Sequence, residues 1–426
     1  MISRERPTKN RKFTLAIAIL LAIIVAGLSF LGGFFTSCVI RGKKVNTLSE
    51  IITIMEKVGY IYDPITGEKR ELTEYDYANA LVNAFLDKYS RYYSPQEYLQ
   101  EINESLGNYT GLGIGFYDGD LEVDVVTGNS PAYKAGLRVG DHISSGRCGE
   151  GESVVFTNNN DLLSFIAVCP AEAIITFEVQ GKGTISVQRQ SYVASFVTYY
   201  DSQVIYEFLS EGTSAPVGVE RFNDEFNDIE DDETAYIRLD AFETGATEQL
   251  RLALEYMEER GRTKLIFDLR NNGGGYMNIL TDVASYFIKN DNQSKSVVAY
   301  AIDKTGKKEA FVTKKNNYKD FITSMCVLAN ENTASASECL LGAMLHYGDL
   351  LTEKKVILEK KDEKVAKTFG KGIMQTTYLL TNGGAFKLTT AKIYWPDATT
   401  CIHGVGFTNG TPAKKADVIA TAIDKL

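Results

Sequence analysis

Apolar and polar positions change rhythm several times along the chain. Residues 13–40, FTLAIAILLAIIVAGLSFLGGFFTSCVI, carry no charged side chain. A helix of about 20 residues crosses a bilayer core, so this run is long enough to span one even when tilted. Arg4, Arg6, Lys9, Arg11 and Lys12 precede it and favour a cytoplasmic N-terminus, while Arg41, Lys43 and Lys44 follow it and weaken that orientation. The run is long and shows no clear Ala-x-Ala site, which favours an uncleaved anchor over a cleaved leader. A lipid-modified Cys38 is the minor alternative. Residues 1–45 are therefore expected to be a cytoplasmic stub and transmembrane anchor, with the bulk of the chain extracytoplasmic.

Beyond residue 45 the period becomes helical. Leu48, Ile51, Ile52 and Met55 repeat at helix spacing, as do Ala80, Leu81, Ala84 and Phe85, and they predict a helical segment over 46–105. That segment either packs within the chain or forms a dimerisation arm. Residues 106–195 turn to short β-branched runs separated by glycines: GLGIGF, LEVDVV, AIITFEVQ and TISVQRQ. Between them SPAYKAGLRVGDHI, 130–143, predicts a short helix from Pro131 that stops at Gly136. Residues 196–233 are poorly patterned, end in NDEFNDIEDDE and read as an acidic linker. From 234 to 426, runs such as TAYIRLDAF and KLIFDLR alternate with TEQLRLALEYMEER, the signature of an α/β layer with parallel strands. The expected whole is a mixed α/β, multi-domain chain.

Composition narrows the chemistry. Of 426 residues, 44% are hydrophobic and 23% charged, which excludes wholesale disorder. Fifty-five acidic against 45 basic residues leave a net charge of −10, unlike a body built to displace counterions from a nucleic acid. Only three histidines occur, His142, His346 and His403, with neither an H-E-x-x-H helix nor a Cys-x-x-Cys pair, so no metal site and no cofactor are expected. The six cysteines are too few for a disulfide framework; Cys148 and Cys169 either pair or pack as buried thiols.

One stretch has the makings of a nucleophile. Ser335 and Ser337, in Ala-Ser-Ala-Ser-Glu, lie between a strand, MCVLAN, and a helix, SECLLGAMLHY. Small neighbours leave a hydroxyl accessible, and amides at a helix start face an oxyanion. A serine needs a base. His346 sits on the apolar helix, His142 in the β-rich segment, and His403 is a minor alternative near the C-terminal strands. Lys371, between two glycines and beside Phe369, serves as a base if burial keeps its amine neutral.

These blocks resemble known families. GLGIGF followed by SPAYKAGLRVGDHI looks like a PDZ domain over 106–195, which implies that Gly111, Leu112, Gly113 and Ile114 form a loop capturing a peptide C-terminus. From about residue 75 onward the chain resembles the C-terminal processing proteases, the tail-specific serine peptidases. The motifs are LDKYSRYYSPQEY (86–98), the PDZ segment, FDLRNNGGG (267–275), NTASASECLLGAM (332–344) and TFGKGIMQ (368–375), in the family's order. The resemblance implies Ser335 as nucleophile, Lys371 as general base and Gln375 as the residue orienting it. It also implies an oxyanion hole from the Ala336 amide and that of Gly274 or Gly275, with Asp268 and Arg270 positioning the turn. Glu338 is expected at the helix start or behind the site, not as a catalytic acid. Departures are Gly273 where many members have proline, the missing Pro-Asp near GVGFTNGTPAK, and a long gap between Ser335 and Lys371. The gap is filled by KKVILEKKDEKVAK, 354–367, expected as an exposed loop or hairpin at the site's rim.

The implied activity is that of a membrane-anchored serine endopeptidase acting on protein or peptide substrates with free C-termini, in a bacterial cell envelope, with an activating partner left open. The alternative is a silent PDZ scaffold that binds C-termini without cutting. A hydrolase of another acyl bond would need a G-x-S-x-G elbow, which is missing.

Overall fold

Strand alternation is written directly into the largest sheet. In the computed structural model, which describes residues 48–59, 69–116, 119–202, 204–208, 229–290, 295–314, 317–361 and 364–426, seven strands run in the order Ile205–Phe208, Val197–Tyr200, Thr234–Leu239, Lys264–Asp268, Ser324–Ala329, Val356–Lys360 and Thr411–Lys414. The last five are mutually parallel and the first two antiparallel. Ala235, Ile237, Leu265, Phe267, Met325 and Val327 face one core, beneath the helices Ala246–Glu259, Met277–Phe287 and Ala336–Tyr347. Tyr236, Ile266, Cys326 and Leu328 face the other, covered by Val418–Ile423. Both faces are sealed, as parallel sheets require.

Two expectations change here. Val197–Tyr200 and Ile205–Phe208 belong to this sheet and not to a linker, because Val197, Tyr199 and Tyr200 are buried and pair with Thr234–Leu239; residues 209–228 lie outside the described residues. Likewise part of the 354–367 run is a strand, not an exposed insert: Val356, Ile357 and Leu358 are fully buried between two parallel neighbours. The lysines around them obscured an apolar core of three residues.

A second, antiparallel sheet orders Arg91–Tyr93, Ala385–Tyr394, Val297–Asp303 and Lys308–Val312, with Ile373–Leu379 also paired to Ala385–Tyr394. It carries the Lys371 segment and brings residues 86–93 beside it.

Residues 106–195 have their own core around Val123, Leu137, Ile143, Ile175 and Phe177. Four strands, Val154–Val155, Ile143–Cys148, Ile174–Val179 and Gly183–Gln188, form its sheet. The short helix is Pro131–Ala135: the Ser130 hydroxyl accepts from the Tyr133 N–H, and left-handed Gly136 stops the helix. Cys148 and Cys169 form a disulfide. Asn271 Nδ2 donates to the Asp124 carbonyl at 3.3 Å and Lys415 pairs with Glu122 at 3.0 Å, so this part touches the large sheet's loops.

The chain divides into two units, Met1–Ala84 and Phe85–Leu426. In the first, residues 48–58 are helical, with Ile51, Ile54 and Val58 exposed, and a second helix, Glu74–Phe85, begins there. The 13–40 anchor candidate lies outside the described residues, and no helix among those described is long and apolar enough to cross a membrane.

Candidate active site

The site lies at the carboxyl ends of the parallel strands, where open α/β sheets place their ligands. Ser324–Ala329 ends in a loop held by hydrogen bonds from Thr333 Oγ1 to the Leu269 carbonyl at 2.8 Å and from the Ala334 N–H to the Asn272 carbonyl at 2.9 Å. Ser335 follows with φ 58° and ψ −115°, and the next residue opens a helix. A non-glycine residue in that region costs roughly 1–3 kcal/mol, and the strain raises its side chain clear of the strand and helix. Ser335 is part-exposed. Ser337, fully buried, donates its hydroxyl to the Asn272 carbonyl at 3.0 Å. Of the two serines, only Ser335 offers an accessible hydroxyl.

The NNGGG turn packs directly against Ser335. At Gly274, φ +98°, a Cβ would lie 2.7 Å from Ser335 Cβ and 2.8 Å from the Ala336 nitrogen, so only glycine fits. The Gly274 N–H donates to Asn272 Oδ1 at 2.9 Å. Among the described residues the N–H groups of Gly275 and Ala336 meet no acceptor. Beneath the turn Asp268 accepts from Tyr236 and Arg270, each at 2.6 Å, and Arg270 reaches Glu359 at 2.6 Å. Burial pushes the Asp268 carboxyl up, but the Arg270 guanidinium outweighs it and holds the group below the usual range.

One carboxylate joins the Ser335 segment to the Lys371 segment. Glu338 is fully buried. Its Oε2 accepts the Ser335 and Lys371 N–H groups, both at 2.9 Å, and its Oε1 accepts Thr368 Oγ1 at 2.6 Å and the Gly370 N–H at 2.8 Å. Burial raises the Glu338 carboxyl, and these donors oppose the rise. Three of its four partners are backbone N–H groups that can only donate, an arrangement that favours the ionised form.

The Lys371 amine sits 4.8 Å from the centroid of the Tyr89 ring and has no ion-pair partner among the described residues. Burial, then the charge of Lys387, hold it below the ordinary lysine value, while Asp87 and Glu338 pull the other way. Gln375 occupies the same segment, but its amide donates to Thr389 Oγ1 at 3.1 Å. Tyr89, Asp87, Lys387 and Thr389 had no assigned role in the sequence; the LDKYSRYYSPQEY block was the one signal for the first two. His403 is exposed and packs its backbone against Gly372, and His346 is exposed on its helix.

In the β-rich part, Leu112 and Gly113 connect Asn108–Gly111 to Ile114–Gly115. The Leu112 carbonyl accepts from the Ala132 N–H and that of Gly113 from the Thr127 N–H, both at 2.9 Å. A Cβ at Gly113 would strike the side chains of Ser130 and Tyr192. Gly111, Leu112, Gly113 and Ile114 thus form one tight segment. Among the described residues no three or more His, Cys, Asp or Glu side chains are grouped to hold a metal ion.

Residues 233–356, which carry the turn and Ser335, match the model of peptidase family S41. The chain is accordingly a serine-type peptidase. It is 27% identical over 336 residues to the chloroplastic C-terminal processing peptidase of Tetradesmus obliquus, covering 77% of this chain and 65% of that protein. It is 24% identical over 361 residues to the carboxyl-terminal-processing protease of Synechocystis sp., covering 82% and 72%. The chain therefore spans 65% and 72% of the length of these two relatives. Its fold is similar to that of the photosystem II D1 C-terminal processing protease, with a TM-score of 0.51, 24% identity and 88% of each chain covered.

Proposed function

We propose that the chain is a membrane-anchored, extracytoplasmic endopeptidase that cuts proteins with free C-terminal tails through a Ser335–Lys371 acyl-enzyme. The observation that carries the reading is Glu338, whose one oxygen binds the backbone of both residues. The neutral Lys371 amine takes the Ser335 proton as Oγ bonds to the scissile carbonyl carbon, and the carbonyl π electrons move onto oxygen. That oxyanion meets the Ala336 amide and the Gly275 amide, since the Gly274 N–H already has an acceptor in Asn272. The lysine then gives its proton to the leaving amine as the C–N bond breaks, and water repeats the sequence to free the acid. Gln375 orients Lys371 only after its amide leaves Thr389.

Residues 106–195 act as a PDZ domain, with the Gly111–Ile114 loop receiving the carboxylate, and the 13–40 run anchors the chain. The resemblance of both segments to those elements supports this part. The test is degradation of labelled β-casein, with and without an apolar C-terminal extension, by the full-length chain, Ser335→Ala and Lys371→Ala. Cutting by wild type alone is expected. Equal cutting by all three would remove the dyad, and tail binding without cutting would favour the scaffold.

A further inference from the structure

The two amides proposed to meet the oxyanion belong to different loops. Gly275 follows the strand Lys264–Asp268, and Ala336 follows the strand Ser324–Ala329. These strands are parallel neighbours whose register ends at Asp268 opposite Leu328, with one further backbone bond from the Leu269 N–H to the Leu328 carbonyl at 2.9 Å. Past that point both chains leave the sheet. The gap between the two amides is then set by contacts between the loops themselves.

Asn271 fastens one loop to the other. Its N–H donates to Asn330 Oδ1 at 3.0 Å, and its own Oδ1 accepts from Asn330 Nδ2 at 2.8 Å and from Asn332 Nδ2 at 3.1 Å. Both carboxamides are turned by backbone groups that have one role only. Asn330 Oδ1 also accepts the Asn332 N–H at 3.1 Å, and Asn271 Nδ2 donates to the Asp124 carbonyl at 3.3 Å. Asn271 has φ 61°, a left-handed conformation that asparagine adopts more readily than most residues. Its place in the turn is four residues before Gly275, and Asn332 stands three before Ser335. Glu338 makes a separate fastening, since its four bonds go to Ser335, Thr368, Gly370 and Lys371.

We propose that Asn271 is a positioning residue for the proteolytic step: through Oδ1 it holds the glycine turn against the Ser335 loop and fixes the gap between the Gly275 and Ala336 amides. This rests on Ser335 being the nucleophile and on those two amides receiving the oxyanion. Amides bind an oxyanion well only when both lie at hydrogen-bond distance from it. A widened gap therefore weakens transition-state binding and leaves binding of the uncut chain as it was.

The test uses the full-length chain and a quenched peptide containing a bond that wild type cuts in β-casein. Asn271→Gly removes the side chain and leaves a left-handed backbone unstrained, so kcat is expected to fall about ten- to a hundredfold with KM unchanged. Asn332→Ala removes one of the two bonds to Oδ1 and should give a smaller fall. The double variant should fall no further than Asn271→Gly, because the second change then removes a bond already lost. A peptide boronic acid of the same acyl-side sequence puts an oxygen at the oxyanion position once bonded to Ser335, and its affinity should drop in proportion to kcat/KM. Wild-type kcat in Asn271→Gly, a loss expressed in KM, boronate binding as tight as in wild type, or additive falls in the double variant would each overturn the proposal. No boronate adduct on wild-type Ser335, or wild-type cutting by Ser335→Ala, would instead overturn the nucleophile assignment and the clamp with it.

Discussion

Glu338→Gln is the sharpest perturbation the site offers, because it exchanges one oxygen for an NH2 and leaves the shape almost intact. The carboxylate accepts four hydrogen bonds, two on each oxygen. A glutamine keeps one oxygen and puts an NH2 against two donors. Turned one way the NH2 meets the Ser335 and Lys371 N–H groups, two donor–donor contacts; turned the other it meets the Gly370 N–H, while the Thr368 hydroxyl can reverse and accept. Bonds to charged groups contribute about 1.5–3 kcal/mol each, and removing a buried charge returns part of that, so the net loss should be about 2–4 kcal/mol. In the first orientation Ser335 and Lys371 are each released from one anchor, and misplacing reacting groups by about 1 Å costs roughly 10²-fold in rate. Urea unfolding should show the lowered midpoint and β-casein cleavage the lowered kcat. A variant with the wild-type midpoint and wild-type turnover would refute the idea that Glu338 holds the two segments together.

Three further outcomes are expected. Gly274→Ala places a methyl group 2.7 Å from Ser335 Cβ at φ +98° and should cost about 1–3 kcal/mol, with proteolysis falling far more than the thermal midpoint. Ser337→Ala loses one buried bond to Asn272, so unfolding should show about 1 kcal/mol less stability while cleavage persists; loss of cleavage equal to that of Ser335→Ala would reverse the serine assignment. Burial raises the Glu243 carboxyl from 4.5 to about 7, with nearby Glu101 adding to the rise. The native state then binds the extra proton, so stability present below pH 4.5 is lost as pH rises to about 7. Glu243→Gln should flatten that fall, about 2–3 kcal/mol between urea midpoints at pH 4.5 and 7.5.

Local pattern carried the reading as far as neighbours in sequence determine structure. Ser130-Pro131 and Gly136 mark a helix start and stop through hydrogen bonds that span three or four residues, and the short helix follows. Alternation in TAYIRL and KLIFD shows which side chains meet which face of the sheet. VILEK failed because its lysines dominate a short window, whereas burial of Val356, Ile357 and Leu358 depends on strands far away in sequence. Val197–Tyr200 failed likewise: its partner strand begins at Thr234, beyond the acidic run. The setting of Lys371 was illegible for the same reason. Arg91–Tyr93 pairs with Ala385–Lys387, and that distant pairing alone brings Asp87 and Tyr89 to the lysine. No short motif encodes such a meeting.

The shared oxygen of Glu338 also has a kinetic meaning. The Ser335 and Lys371 N–H groups both donate to Oε2, so displacing Glu338 exposes both amides to solvent in one event. Their hydrogen-exchange rates should then be matched and move together under mild denaturant, although the residues lie 36 apart in different segments. The Ser335 and Lys371 segments would be assembled or dismantled as one piece, and the half-built site would be a rare species.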